Sequence, residues 1–187
     1  MAIPLTMLNN LPEHEFVALL GGVFEHSPWV AESVAGARPF SSIGVMHDAM
    51  VASVRSASTE MQDQLIKAHP DLAGKAARAG TLTDSSTREQ SGAGLDRMTG
   101  EQFARFDKLN NDYQNRFGFP FIIAVRGHSV DSILRAFEQR LSNSQDVERQ
   151  TALEQIARIA RFRLNDIIDE QTTPDGQPIN GEAIWDG

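Results

Sequence analysis

The sequence predicts an all-α protein, and three observations carry that prediction. Apolar residues recur at intervals of three and four through most of the chain, and period-two alternation is nearly absent. Helix-starting and helix-stopping residues also bracket the periodic stretches. The expected architecture is a single compact domain of about seven or eight helices over residues 1–170, followed by a polar, loosely ordered tail at 171–187.

Taking the elements in order, Phe16, Leu19, Leu20 and Val23 mark one face of a first helix after Pro12, with Asn10 as its cap and Gly21-Gly22 loosening its end. Ser27-Pro28 reads as the cap and first position of a second, short helix carrying Trp29, Val30 and Val34, because proline is tolerated there; Arg38-Pro39 ends it. Ser42 caps a third helix (Val45, Met46, Ala49, Met50, Val54). Thr59 starts a fourth (Met61, Leu65, Ile66), which Pro70 stops, since the residue before a proline is pushed out of helical geometry.

The alanine-rich run Gly74 to Gly80 fits a short helix or a loop, and the residues do not decide between them. Gly92 and Gly94 end the turn after Glu89. Thr99-Gly100-Glu101-Gln102 reads as a capping box, opening a helix with Phe103, Phe106, Leu109, Tyr113 and Phe117 inward and Gly118 as its stop. Ser129 or Asp131 begins the next helix (Ile133, Leu134, Phe137, Leu141). Ser144 begins a last long one (Leu153, Ile156, Ile159, Ala160, Leu164, Ile167, Ile168).

Totals narrow the function classes. At 187 residues the chain can bury a real core, and 41% apolar with 22% charged residues is ordinary for a globular protein. A net charge of −8 argues against a nucleic-acid backbone or an anionic membrane surface as a general partner. The absence of cysteine removes disulfides, thiolate nucleophiles and thiolate metal sites. The N-terminal MAIPLTMLNNLPEHEF lacks the basic-then-apolar pattern of a leader, and no stretch approaches the roughly 18 apolar residues of a membrane span. The C-terminal Ile184-Trp185-Asp186-Gly187 is no peroxisomal address. A cytoplasmic location is the expectation.

Two stretches depart from ordinary connectors. Lys67 to Leu95, KAHPDLAGKAARAGTLTDSSTREQSGAGL, places a histidine before a proline and a hydroxyl cluster before Glu89-Gln90. Phe117 to Gly127, FGFPFIIAVRG, brings Arg126 to the end of an apolar run too short for a typical helix. His69 sits at a forced helix end, where a histidine either caps carbonyls or exchanges protons near neutral pH. Ser86-Thr87-Arg88-Glu89 fits the S-x-x-E capping box, which the residues alone favour over a role for Glu89 in binding. Arg126 reads as an exposed end to a buried segment, or as a planar fork for carboxylates and carbonyls.

Together, HPDLAGKAA, SSTREQ followed by AGL, LNNDY, FGFPFIIAVRG and the earlier Glu25-His26-Ser27-Pro28-Trp29 resemble the 2-oxo-4-hydroxy-4-carboxy-5-ureidoimidazoline decarboxylases (OHCU decarboxylases), which make allantoin in urate breakdown. The resemblance runs from near Leu8 to about Ile168. It implies a cofactor-free decarboxylation to (S)-allantoin with His69 as acid/base and Glu89 and Arg126 as further catalytic groups. It also implies substrate contacts from Pro70, Ser86 and Gln90 and from the backbone amides of Ile122 and Ile123. A homodimer acting on a small ureidoimidazoline is implied as well.

The other candidates carry less. His26 reads as a packing residue at a helix start, and His14, His47 and His128 as surface groups. Asp71 and Lys75 read as braces. No histidine pair has H-e-x-x-H spacing and no carboxylate cluster has calcium-loop spacing, so no metal site is expected; Ser85 and Ser86 lack a G-x-S-x-G setting. A non-catalytic helical module that binds a ligand or partner, and a metal-dependent hydrolase, remain the competing classes. Coordinates that scatter His69, Glu89 and Arg126 would favour the former, and metal analysis with a chelator would test the latter.

Overall fold

The structure, a computed structural model, describes residues 2–74 and 80–170. The tail expected at 171–187, Lys75 and most of the Gly74–Gly80 run lie outside the described residues. The described residues form nine helices and one minimal strand pair, in agreement with the all-α expectation. The chain divides into two compact units.

Among the described residues the first unit comprises 2–23, 28–56 and 161–170. Its helices are α1 (Leu5–Asn10), α2 (Glu13–Leu20), α3 (Trp29–Ala35) and α4 (Ile43–Ser56). β1 (Ile3–Pro4) pairs in parallel with β2 (Ile168–Asp169). Phe16, Leu20, Val30, Met46 and Met50 are at most 1% exposed, and each such burial stabilises by about 1.5–3 kcal/mol. The polar ties are specific: Asn9 both donates to and accepts from the backbone of Phe40 at 2.9 Å, and Arg38 reaches the carbonyls of Ala35 and Leu11 while its guanidinium lies 4.6 Å from the Phe16 ring centre. Arg163 donates to the carbonyls of Gly22 and Val23 at 3.3 and 3.4 Å.

The second unit comprises, of the described residues, 24–27, 57–74 and 80–160. It holds α5 (Thr59–Lys67), α6 (Asp84–Gly92), a 3-10 turn (Leu95–Arg97), α7 (Gly100–Phe117), α8 (Val130–Arg140) and the start of α9 (Gln145–Ile167), whose last turns belong to the first unit. An aromatic cluster fills its core: Phe121 stacks on Phe137 at 3.7 Å between ring centres, and Tyr113 meets Phe121 edge-on at 5.2 Å. Interlocked rings of this kind contribute beyond their area burial.

Several local expectations hold. Ser42 caps α4 through the Val45 amide at 3.0 Å, Thr99 and Gln102 form the reciprocal capping box of α7, and Gly118 ends that helix in the left-handed region at φ 75°. Ser129, rather than Asp131, caps α8. Others are corrected. Pro12 stands at the N-cap of α2, because Asn10 is spent inside α1 on the Thr6 carbonyl at 2.8 Å; α1 itself is too short to show a period. Ser27 turns back to the Glu25 carbonyl at 3.1 Å, so Pro28 stands at the N-cap of α3 with no side-chain cap. That helix ends at Ala35, before Arg38-Pro39. α5 starts at Thr59 as expected, with Ser58 as its cap. Leu19, Val45 and Met61 face outward. Two-residue strands are too short to leave an alternation in the sequence, so the β1–β2 pair was not foreseen.

Candidate active site

The site is built entirely within the second unit. α5 ends at Lys67, and Pro70 holds the chain from resuming a helix, leaving His69 just past the last turn. His69 is 7% exposed, and its Nδ1 lies 2.9 Å from the Leu65 carbonyl oxygen. A carbonyl only accepts, so Nδ1 carries the proton and Nε2 is the nitrogen left able to take one. The chain then folds over itself: Asn110, from the LNNDY stretch of α7, donates to the Leu72 carbonyl at 2.9 Å, and the Gln90 side-chain oxygen accepts from the Ala73 amide at 2.9 Å.

α6 supplies the polar wall. Ser86, Glu89 and Gln90 are three and four residues apart and so share one helix face. The capping box expected at Ser86 is not formed. Thr83 is the N-cap, and its hydroxyl accepts from the Ser86 amide at 3.2 Å. Ser86 therefore stands inside the first turn with its side chain released for other bonds. That side chain is 4% exposed and lies 3.3 and 3.2 Å from the two carboxylate oxygens of Glu25, which is itself 2% exposed.

The apolar run supplies the opposite wall. Residues 119–125 form no helix, as expected, and Phe119 to Val125 are buried. What holds an irregular, buried backbone is side-chain hydrogen bonding. Arg140 donates to the Ile122 carbonyl at 2.6 Å, and the Ala124 amide donates to Gln155 at 3.0 Å. Arg140 is fixed in turn by Glu148, fully buried, which also takes hydrogen bonds from the Tyr113 hydroxyl and from Asn143. Burial, then the bond to Glu148, pushes the Tyr113 phenol well above its ordinary pKa.

These walls enclose one cavity. His69, Pro70, Ser86, Glu89 and Gln90 line it on the polar side, and Phe121, Ile122, Ile123 and Val125 on the apolar side. The cavity is half-open and small: the centres of water-sized molecules have about 30 Å³ to occupy, within about 350 Å³ of empty space that includes open solvent. Arg126, next in the chain to the lining residue Val125, is exposed and is not itself part of the lining. A larger cavity of about 370 Å³ shares Gln90 but is walled by Leu82, Leu95, Met98 and Phe103, with Asp96 as the ionisable group in its lining. It lacks the imidazole that lines the smaller one. Among the described residues no group of three or more His, Cys, Asp or Glu side chains is placed to hold a metal ion.

Some placements were not anticipated. Glu25, Asn110 and Arg140 each brace a lining residue, on Ser86, Leu72 and Ile122, and Glu148 holds Arg140 in turn; His26, beside Glu25, is exposed. Of the histidines read as surface groups, His47 is an exception, with a side chain 15% exposed. Asp71 does brace, accepting from Gln114 at 2.7 Å.

Comparison with known proteins converges on one family. A family model described as OHCU decarboxylase matches residues 9–165. The 2-oxo-4-hydroxy-4-carboxy-5-ureidoimidazoline decarboxylase of Haloferax volcanii is 42% identical over 162 residues, 87% of this chain and 94% of that protein. The uric acid degradation bifunctional protein PucL of Bacillus subtilis is 44% identical over 88% of this chain, which spans 32% of that longer protein. Among solved structures, an (S)-allantoin synthase superposes with a TM-score of 0.74 at 29% identity, covering 94% of this chain and 62% of that one. An OHCU decarboxylase crystallised in the presence of (S)-allantoin superposes at 0.64 and 19% identity, covering 83% of this chain and 97% of that one, which speaks for the fold. With motifs, architecture and relatives in agreement over most of its length, this chain belongs to the OHCU decarboxylase family.

Proposed function

We propose that the protein catalyses the decarboxylation of 2-oxo-4-hydroxy-4-carboxy-5-ureidoimidazoline to (S)-allantoin in urate breakdown, without a cofactor. The observation that carries this reading is the single cavity in which a buried imidazole, anchored through Nδ1, shares a wall with Ser86, Glu89 and Gln90. The substrate bears a carboxylate and a hydroxyl on one ring carbon and a C=N bond on the next. Loss of carbon dioxide sends the bonding electrons toward that C=N, so the molecule is its own electron sink. Neutral His69 takes the hydroxyl proton on Nε2 and, as imidazolium, returns one to the product side, fixing the hand of the allantoin.

Glu89 orients ring and ureido N–H groups and, lying near the departing carboxylate, favours its loss as neutral gas. The Gln90 oxygen is engaged by Ala73, which leaves its NH2 as a donor toward substrate carbonyls. Pro70 and the Ile122-Ile123 backbone lie against the ring. Arg126 closes the mouth on carboxylate or carbonyl oxygens. Because the cavity as it stands is small for the substrate ring, the side chains at its rim shift to receive it.

His69→Asn tests the reading. The variant should stay folded by circular dichroism and lose nearly all stereospecific (S)-allantoin formation, a loss of the order of 10²–10⁴-fold for a general acid/base. Since the uncatalysed reaction gives racemic allantoin, chirality is the readout; a variant retaining full rate and hand removes His69 from the chemistry. We further propose that residues 1–170 act as one functional domain, and that the protein works as a cytoplasmic homodimer without nucleic-acid partners. Sedimentation at micromolar concentration should return twice the monomer mass of 20.6 kDa; a monomeric boundary there would remove the dimer from this proposal.

A further inference from the structure

Glu25 has no part in the reaction described above, yet it is among the most deeply buried ionisable groups, 2% exposed. Thr83 Oγ1 lies 2.8 Å from its Oε1, and Ser86 Oγ lies 3.3 and 3.2 Å from Oε1 and Oε2. The Thr83 hydroxyl accepts the Ser86 amide proton at 3.2 Å on one lone pair and donates its own proton to the Glu25 carboxylate. The carboxylate also sits at the first turn of α6, where the exposed amide dipoles favour a negative charge. An ionised carboxylate accepts only, so the Ser86 hydroxyl donates to it as well.

A serine hydroxyl has one proton. Once Glu25 holds it, what Ser86 can offer the cavity it lines is oxygen lone pairs. We propose that Glu25 is a positioning residue that sets the polarity of Ser86, committing that hydroxyl to accept, so that this point of the wall selects an N–H group of a ureide and disfavours a carbonyl or carboxylate oxygen. The inference rests on the cavity being the substrate site, and deepens that reading by assigning one contact its direction. It accounts for the combination at α6: Thr83 caps the helix with one lone pair while its proton helps hold Glu25, and Ser86 is thereby relieved of capping and turned into an acceptor.

A double-mutant cycle on (S)-allantoin affinity tests it, measured by calorimetry on the full chain. Glu25→Gln replaces an obligatory acceptor by a group that can donate to Ser86 and free its proton toward the cavity. It should weaken (S)-allantoin about tenfold, the equivalent of one hydrogen bond of about 1.4 kcal/mol. In the Ser86→Ala background the same change should cost less than about twofold, because its effect runs through that hydroxyl. Equal losses in both backgrounds mean a general structural role and overturn the proposal, as does no loss in the first.

A second measurement is independent of whether Glu25→Gln folds. Among allantoin analogues with one ring or ureido N–H replaced by CH2, at least one should bind the wild type about tenfold more weakly than allantoin does, and should lose that penalty in Ser86→Ala. A panel in which every analogue keeps the same penalty in both proteins overturns the polarity assignment. Wild-type protein that fails to bind (S)-allantoin at all sinks the substrate-site reading and this one together; binding with an additive cycle sinks this one alone.

Discussion

At the scale of single residues, the site depends on side chains whose work is to hold other groups still. Asn110 is the clearest case: it is buried, and its Nδ2 gives the Leu72 carbonyl a partner at 2.9 Å. Asn110→Ala leaves that carbonyl without this donor, at a cost of about 1–3 kcal/mol in unfolding free energy. Because Leu72 lines the cavity two residues after Pro70, the same change should raise KM for the ureidoimidazoline more than it lowers kcat. Urea titration and steady-state kinetics check both, and an unchanged midpoint with unchanged KM would show that the bond holds nothing. The residues proposed for the chemistry were legible, since His69, Glu89, Gln90 and Arg126 sit in long ordered motifs. Glu25 and Asn110 lie in such motifs too, in EHSPW and LNNDY, yet a sequence gives no sign of which polar residue turns inward. Of the neighbouring pair Glu25 and His26, the histidine that reads as a packing residue is the one that faces solvent.

At the scale of elements, what was legible is what chain chemistry forces locally. The Thr99 box, the Ser42 cap and the Gly118 stop each involve groups within a turn of one another, so spacing alone implies them. Ser86 shows where that logic stops. S-x-x-E satisfies the capping-box pattern, but Thr83, three residues earlier, satisfies the cap as well, and a buried carboxylate sixty-one positions away in the chain draws Ser86 into another bond. A local rule was overridden by a non-local acceptor. Residues 119–125 illustrate the same limit from the other side. The shortness of their apolar run argued against a typical helix, while the clamps that fix their path, Arg140 on Ile122 and Gln155 on Ala124, come from helices eighteen and thirty-one residues further on. Short elements were lost for a simpler reason: six-residue α1 and two-residue β1 span too little chain to express a period.

At the scale of the whole molecule, the support of the 119–125 wall sets an alkaline limit on stability. Tyr113 is the chain's single tyrosine, wholly buried, and its hydroxyl donates to Glu148, the carboxylate that also holds Arg140 and through it Ile122. Its folded-state pKa is raised by burial first and by Glu148 second, so the native state keeps the phenol proton at pH values where the unfolded chain, titrating near an ordinary value of about 10, releases it. The native state then binds more protons than the unfolded one, and the sign of the linkage follows: stability from this group is fully present below about pH 10 and declines as pH rises beyond that. Tyrosinate absorbance in the native protein should therefore stay flat through pH 10 and rise only together with the loss of helical circular dichroism. In concentrated urea the same absorbance should titrate near pH 10. A native protein whose tyrosinate signal appears near pH 10 with its helices intact would mean that the phenol is open to solvent, and that the chain of contacts from Tyr113 to the cavity wall does not hold in solution.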